Sequence, residues 1–266
     1  MLKLYHGTTS VCAAKVRLVM YEKGMGFESE ILDLQKGEQH SPAYLKLNPK
    51  AVVPTLVDGG RAIIESSVIM FYLEEIRPSP ALLPDDPYLR AQTRLWMKRV
   101  DDVLHPGCTT LTFATANRRH FLETMTPEQR AERYARNPDP ERREIQRDCI
   151  EQGLDAARVV AAVRQYDAAF ADMERQLGET RWLAGNEFGF ADICLIPYVN
   201  RLSLICMDSM WTRNRPRVRR WFEKVQARPS FQLAIVRWMT DDDHDRFAVS
   251  RVEIEEKLSE TLALRS

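Results

Sequence analysis

The stretch NPKAVVPTLVDGGRAIIESSVIMFYLEE, Asn48 to Glu75, changes its hydrophobic period half-way. AVVPTLVDGGRAIIE reads as two strands around an Asp58-Gly59-Gly60 hairpin turn, since glycines supply the backbone freedom that a tight turn between apolar segments needs. SSVIMFYLEEI then reads as a helix opened by Ser. Upstream, residues 2 to 5 alternate as a strand. After the polar Gly7 to Ser10 turn, Val16, Val19 and Met20 recur at helical spacing up to Gly24, a helix C-cap. FESEILDL alternates again, so strand, helix and strand form a crossover unit whose two strands are parallel. The order to Glu75 is βα-β-ββα.

From Arg77 the composition changes. RPSPALLPDDP carries Pro78, Pro80, Pro84 and Pro87, which disfavour both helix and strand and make a stiff linker. The boundary falls there, between a domain of residues 1–79 and one of residues 88–266. Downstream the patterns are helical: 88–104, a less regular stretch to about 125, then 155–177, 190–207, 215–227 and 250–264. RNPDPERRE, around 136–144, reads as an exposed loop. The fold class is an α/β N-terminal domain followed by an all-α C-terminal domain.

Composition excludes several functions. The chain has 266 residues, 44% hydrophobic, with 38 basic and 38 acidic side chains, so no global field favours nucleic acid or an anionic membrane. Its longest uncharged stretches are short, such as Ile193 to Asn200, or polar, such as Val103 to Asn117, and neither spans a bilayer. Five widely spaced cysteines fit reduced thiols, and no Cys/His spacing suits a metal. With no apolar leader, the expected address is cytoplasmic. RNRPRVRR, from Arg213, is a basic cluster that reads as a solvated helix end rather than a nucleic-acid site.

An α/β unit of this order, a Pro-rich linker and a helical domain together resemble the glutathione S-transferase family. Asn48 to Glu75 resembles the family's glutathione-binding half, with Val53-Pro54 at its cis-proline position and Glu65-Ser66 at its γ-glutamyl site. RWLAGNEFGFADICLIPYV, Arg181 to Val199, resembles its helical-domain signature, where a capping box opens a buried helix, although Gly189 stands where Ser or Thr is usual. GEQHS and the long insertion before LAG look like bacterial β-etherase-type members. The resemblance implies a thioredoxin-like N-terminal domain, glutathione as co-substrate, no metal and a homodimer.

Glutathione carries two carboxylates, an ammonium and a thiol, and its site must answer each. A cis bond before Pro54 would turn the Val53 backbone outward to pair with the cysteinyl residue like a short strand. Ser66 at a helix N-terminus suits the γ-glutamyl carboxylate, and Glu65 the ammonium; plain N-capping by Ser66 or Ser67 is the competing reading. The glycyl carboxylate would fall near Gln39 or His40, with an exposed loop as the competing reading of both.

Bringing a thiol of pKa roughly 8.5 to about 7 takes roughly 2 kcal/mol of preference for the anion, and one hydrogen bond to a charged group contributes about 1.5–3 kcal/mol. One hydroxyl therefore suffices. In the family's Ser and Cys types the functional residue precedes a basic residue of the first helix by five positions, and here Lys15 points back to Ser10. Thr8 and Thr9 are neighbouring alternatives. Cys12 is the rival: it would form a mixed disulfide and make the protein a thiol exchanger, or else be a small buried residue of the first helix turn. Lys15 itself either adds positive potential to the site or is a solvated charge of the helix, the more common case, and Cys194 and Cys206 read as core residues. His105, Cys108, Phe113 and Trp211 are candidates for the electrophile pocket, each with core packing as its alternative. The expected activity is attack of a glutathione thiolate on a hydrophobic electrophile, with aryl-ether cleavage and a non-catalytic binding role as alternatives.

Overall fold

The computed structural model describes residues 1–263. In chain order the elements are β1 (Lys3–His6), α1 (Val11–Glu22), β2 (Glu28–Ile31), the short α2 (Pro42–Leu45), β3 (Thr55–Asp58), β4 (Arg61–Ile64) and α3 (Ser66–Ile76). The helical part follows with α4 (Pro87–Arg99), α5 (His105–Thr112), α6 (Arg118–Thr124), α7 (Pro127–Ala135), α8 (Pro140–Gln152), α9 (Ala157–Glu179) and α10 (Phe190–Leu204). After these come α11 (Ser209–Thr212), α12 (Pro216–Gln226), α13 (Pro229–Ala234), α14 (Asp241–Phe247) and α15 (Arg251–Ala263). The expected end of the last helix at 264 lies outside the described residues.

The sheet runs β2-β1-β3-β4, with β1 and β2 parallel and β3 antiparallel to both of its neighbours. Gly59 (φ 54°) and Gly60 (φ 80°) turn the hairpin in the left-handed region that a two-residue loop requires. Register decides where function can sit. Tyr5, Thr55 and Ile64 lie in one row, and His6 faces Ile31. The loops leaving β1 and β2, the residues entering β3 and the start of α3 therefore meet at one end of the sheet.

Helix α1 is buried from Ala13 to Met20, because α3 covers one side of it and α10 and α13 the other. It is the joint between the α/β layer and the helices. Helix α10 is buried from Phe190 to Val199, which explains its continuous apolar sequence. The glycine that opens it is required by space: a Cβ on Gly189 would lie 2.5 Å from the Leu82 carbonyl oxygen, which accepts the Phe190 N–H at 2.9 Å. Asp192 still caps the helix, accepting the Gly189 N–H at 3.3 Å.

One loop reading needs correction. RNPDPERRE is a loop only up to Asp139. Pro140 begins α8, with the Asp139 carboxylate accepting the Glu141 and Arg142 N–H groups at 3.0 and 3.3 Å. Proline at a first helical position starts a helix rather than breaking one, since its missing N–H has no intrahelical partner there. The same device opens α7, where Pro127 is the first helical residue within a Thr126–Gln129 capping box.

Candidate active site

The loop after β1 offers three hydroxyls, and the structure sorts them. Thr8 Oγ1 donates its proton to Asp243 Oδ2 at 3.0 Å and is spent, whereas Thr9 Oγ1 only accepts, from Arg246 Nη2 at 3.0 Å, and so keeps a proton like Ser10 while being tied to α14. Ser10 is the N-cap of α1, its Oγ accepting the Ala13 N–H at 3.2 Å. Capping uses an acceptor lone pair and leaves the Ser10 proton free to donate. Arginines hold the loop in place: Arg17 donates to the carbonyls of Gly7 (3.1 Å) and Thr8 (3.0 Å), and Arg201 to that of Thr9.

On the neighbouring chain segments the Val53-Pro54 bond is cis, and among the described residues nothing pairs with the Val53 N–H or C=O. Below it, Tyr44 Oη donates to Val52 O (2.6 Å) and Asn48 Nδ2 to the same oxygen (2.8 Å), which fixes the approach to β3. Glu65 sits at φ 69°, a conformation that side-chain-bearing residues rarely adopt. Among the described residues no side chain caps α3, so the first N–H groups of this helix have no side-chain acceptor. Ser66 is buried, and Ser67, the alternative cap, instead donates to Asp101 Oδ2 at 2.6 Å. Glu65 Oε1 holds Lys50 Nζ at 2.6 Å, a neighbour the sequence did not reveal.

Gln39 Nε2 lies 3.2 Å from His40 Nε2, and the Gln39 Oε1 atom is buried without a partner. Burial, and then the charges of Arg133 and Arg136, lower the His40 pKa. Arg133, on the unforeseen α7, donates to the carbonyls of Leu34 (3.0 Å) and Gln35 and so ties the helical part to this loop.

Cys12 is neither isolated nor merely packed. Its Sγ is 3.5 Å from His105 Nδ1 and 3.6 Å from the Tyr198 hydroxyl, which itself lies 3.2 Å from the same nitrogen. Burial pushes the thiol up, but the His105 charge and hydrogen bond, with Lys15 and Tyr198 behind them, bring it down to about 6. In return Cys12 raises His105 against burial and the charges of Lys15 and Arg142. Lys15 is not solvated: it is 0% exposed, donating to Asp101 Oδ1 at 2.9 Å and Ser67 Oγ at 3.4 Å. Asp101 belongs to a wide π turn, Val100–Leu104, that delivers His105 to α1; such bulges recur at functional sites.

The remaining pocket candidates separate. Cys108 is 2% exposed, with its thiol raised by burial, and Trp211, also 2% exposed, packs against Phe170 and Phe222 in the helical core. Phe113 is half-buried, edge-on to Phe121 in a smaller apolar cluster. Cys194 is buried, and Cys206 half-buried. In the basic cluster Arg213, Arg215, Arg217 and Arg219 pair with Glu255, Asp167, Glu174 and Glu223, which makes it a set of helix ties. Among the described residues no group of three or more His, Cys, Asp or Glu is placed to hold a metal ion, and no helix is long and apolar enough to cross a membrane.

Family models for the glutathione S-transferase N-terminal domain and C-terminal domain match residues 9–76 and 128–224. LigF of Sphingobium sp. strain SYK-6 is 30% identical over 87% of this chain and 91% of its own length. The tetrachloro-p-hydroquinone reductive dehalogenase of Sphingobium chlorophenolicum is 29% identical over 88% and 96%. The crystal structure of beta-etherase LigF from the SYK-6 strain superposes with a TM-score of 0.78 at 29% identity, covering 88% of this chain and 98% of that one. The theta class glutathione S-transferase of Xanthomonas axonopodis pv. citri, solved with glutathione bound, gives 0.63 at 25% identity over 88% and 96%. The chain belongs to the glutathione S-transferase family, with the thioredoxin-like and all-helical parts that the sequence led us to expect.

Proposed function

We propose that the protein is a glutathione transferase in which the Ser10 hydroxyl donates to the glutathione sulfur and holds it as the thiolate that attacks a hydrophobic electrophile. The observation that carries this is the convergence at one sheet end of a free hydroxyl proton at Ser10, an unpaired Val53 backbone and an uncapped α3 N-terminus. In this reading Val53 pairs with the cysteinyl backbone, and Ser66 with the start of α3 takes the γ-glutamyl carboxylate. Glu65 takes the ammonium, sharing its carboxylate with Lys50, and Gln39 and His40 meet the glycyl end beside Arg133. Residues 1–79 then carry glutathione and 88–266 the electrophile.

The likeness to beta-etherase LigF favours an aryl ether as the electrophile, with an aryl oxide displaced by the sulfur. A cytoplasmic homodimer fits the apolar side chains that α3 and α4 leave exposed, Val68, Tyr88 and Leu95.

The test is an ultraviolet difference titration of bound glutathione on the native protein, Ser10→Ala and Cys12→Ala. A thiolate signal lost only in Ser10→Ala supports the reading. Loss only in Cys12→Ala makes the protein a thiol exchanger, and no glutathione binding at all makes it a non-catalytic member of the fold.

A further inference from the structure

His105 is fastened on one side only. Its Nδ1 meets Cys12 Sγ and the Tyr198 hydroxyl, while its Nε2 has no hydrogen-bond partner among the described residues. The ring is half-buried and edge-on to Tyr198. It stands at the start of α5, against the first turn of the helix that Ser10 caps. A histidine held at one nitrogen, with the other unpartnered, is arranged for proton transfer rather than for packing.

Displacement of an aryl oxide creates the need for such a transfer. We propose that His105 is the general acid that protonates the departing aryl oxygen, with Cys12 holding the ring at Nδ1. The proposal rests on the aryl-ether reading above. The glutathione sulfur forms a bond to the carbon that carries the ether oxygen, the carbon–oxygen bond breaks, and its electron pair stays on that oxygen, which takes the proton from His105 Nε2. The thiol proton of glutathione has already gone to solvent, and His105 regains its own from water.

The charged and titratable groups facing His105 are Cys12 and Lys15 from α1, Tyr198 from α10 and Arg142 from α8. Of these only Cys12 supplies negative charge. The thiol is therefore a positioning residue, whose charge keeps the acid protonated between the two arginine- and lysine-bearing helices.

The test is a comparison of leaving groups. Native enzyme, His105→Gln and His105→Asn are given glutathione with aryl ethers that release phenols of rising basicity, from nitrophenol to methoxyphenol, and with chlorodinitrobenzene, whose chloride needs no proton. The expected result is a loss in kcat/KM of about 100-fold on the methoxyphenol ether in both variants, with the nitrophenol ether and the chloride changed by no more than about twofold. In Cys12→Ser, the alkaline limb of kcat on the methoxyphenol ether moves to lower pH, because His105 loses its counter-ion. Equal losses on all electrophiles, or an alkaline limb that stays in place, would overturn the acid role while leaving the transferase intact. Failure of the native protein to turn over either electrophile would overturn the transferase reading, and the acid role with it.

Discussion

Ser10 Oγ accepts the Ala13 N–H at 3.2 Å, so the atom that caps α1 is also the hydroxyl assigned to the glutathione sulfur. Removing it should therefore cost twice. In Ser10→Ala, loss of the cap lowers unfolding stability by about 1 kcal/mol. Loss of a hydrogen bond to a charged sulfur, about 1.5–3 kcal/mol, lowers kcat/KM roughly 10- to 150-fold and raises the pKa of bound glutathione. Ser10→Thr keeps both bonds and should keep both properties. Denaturant unfolding alongside a pH profile of turnover checks the pair; an unchanged profile in Ser10→Ala would remove Ser10 from the mechanism.

Glu65 combines a positive φ with an exposed carboxylate, so its backbone and side chain can be tested against each other. Glycine adopts φ 69° without the steric cost that Glu65 bears, and Glu65→Gly should be about 0.5–1 kcal/mol more stable even after glycine's entropy is counted. The same change removes the acceptor for the γ-glutamyl ammonium and should weaken glutathione about tenfold, the equivalent of roughly 1.4 kcal/mol. Thermal unfolding and calorimetric titration should thus move in opposite directions. Glutathione binding as tight as in the native protein would mean that Glu65 meets no part of the ligand.

How much of this was legible in the sequence depended on how far each signal reached. The Asp58-Gly59-Gly60 turn, the alternation around it and the Ser66 helix start are local, and each led directly to its element. So did Gly189, whose departure from the usual Ser or Thr turns out to follow from the Leu82 carbonyl beside it. Pro140 was misleading because proline means stop inside a helix and start at its first turn, and only the cap Asp139 distinguishes the two; the segment of α7, opened in the same way by Thr126 and Pro127, was left unread. The chemistry was less legible than the fold. Cys12 and His105 are 93 positions apart, and Lys15 and Asp101 86, so nothing in the period or spacing of either segment announces its partner. Lys15 was read as a solvated charge because burial of a lysine depends on an acid that only the folded chain supplies.

That pair makes an asymmetric prediction. Lys15 is fully buried, whereas the Asp101 side chain is 41% exposed. Asp101→Ala leaves an ammonium buried beside one hydroxyl, and should cost about 3 kcal/mol, the low end for a broken buried pair because water reaches the Asp101 side. Lys15→Met replaces the charge with an apolar chain of similar length and leaves behind a carboxylate that water can solvate, so it should cost about 1 kcal/mol or less. It also removes one of the charges that hold the Cys12 thiol down, so the Cys12 pKa should rise above about 6. Unfolding curves and the pH dependence of thiolate absorbance, each referred to Cys12→Ser, measure both effects. Equal destabilisation by the two substitutions would contradict the asymmetry.

Asp192 joins three parts of the helical core: its Oδ1 accepts from Trp221 Nε1 (2.8 Å) and from Leu183 N–H (3.2 Å), and its Oδ2 from Gly189 N–H (3.3 Å). Burial raises its pKa to about 6 from the ordinary 3.8, outweighing the donors from Trp221, Leu183 and Gly189, which pull the other way. The folded state therefore holds the Asp192 proton more tightly than the unfolded chain does. Its contribution to stability is greatest below pH 4 and declines as pH rises to about 6; the full difference is about 3 kcal/mol. Asp192→Asn cannot titrate, and should flatten that part of the curve of unfolding free energy against pH. The variant is still less stable in absolute terms by about 1–2 kcal/mol, because its amide presents a donor to the Gly189 N–H and the helix cap is lost. The decisive quantity is the difference in slope between native and variant proteins from pH 4 to 6. Parallel curves would show that Asp192 is ionised throughout, with its three donors outweighing its burial.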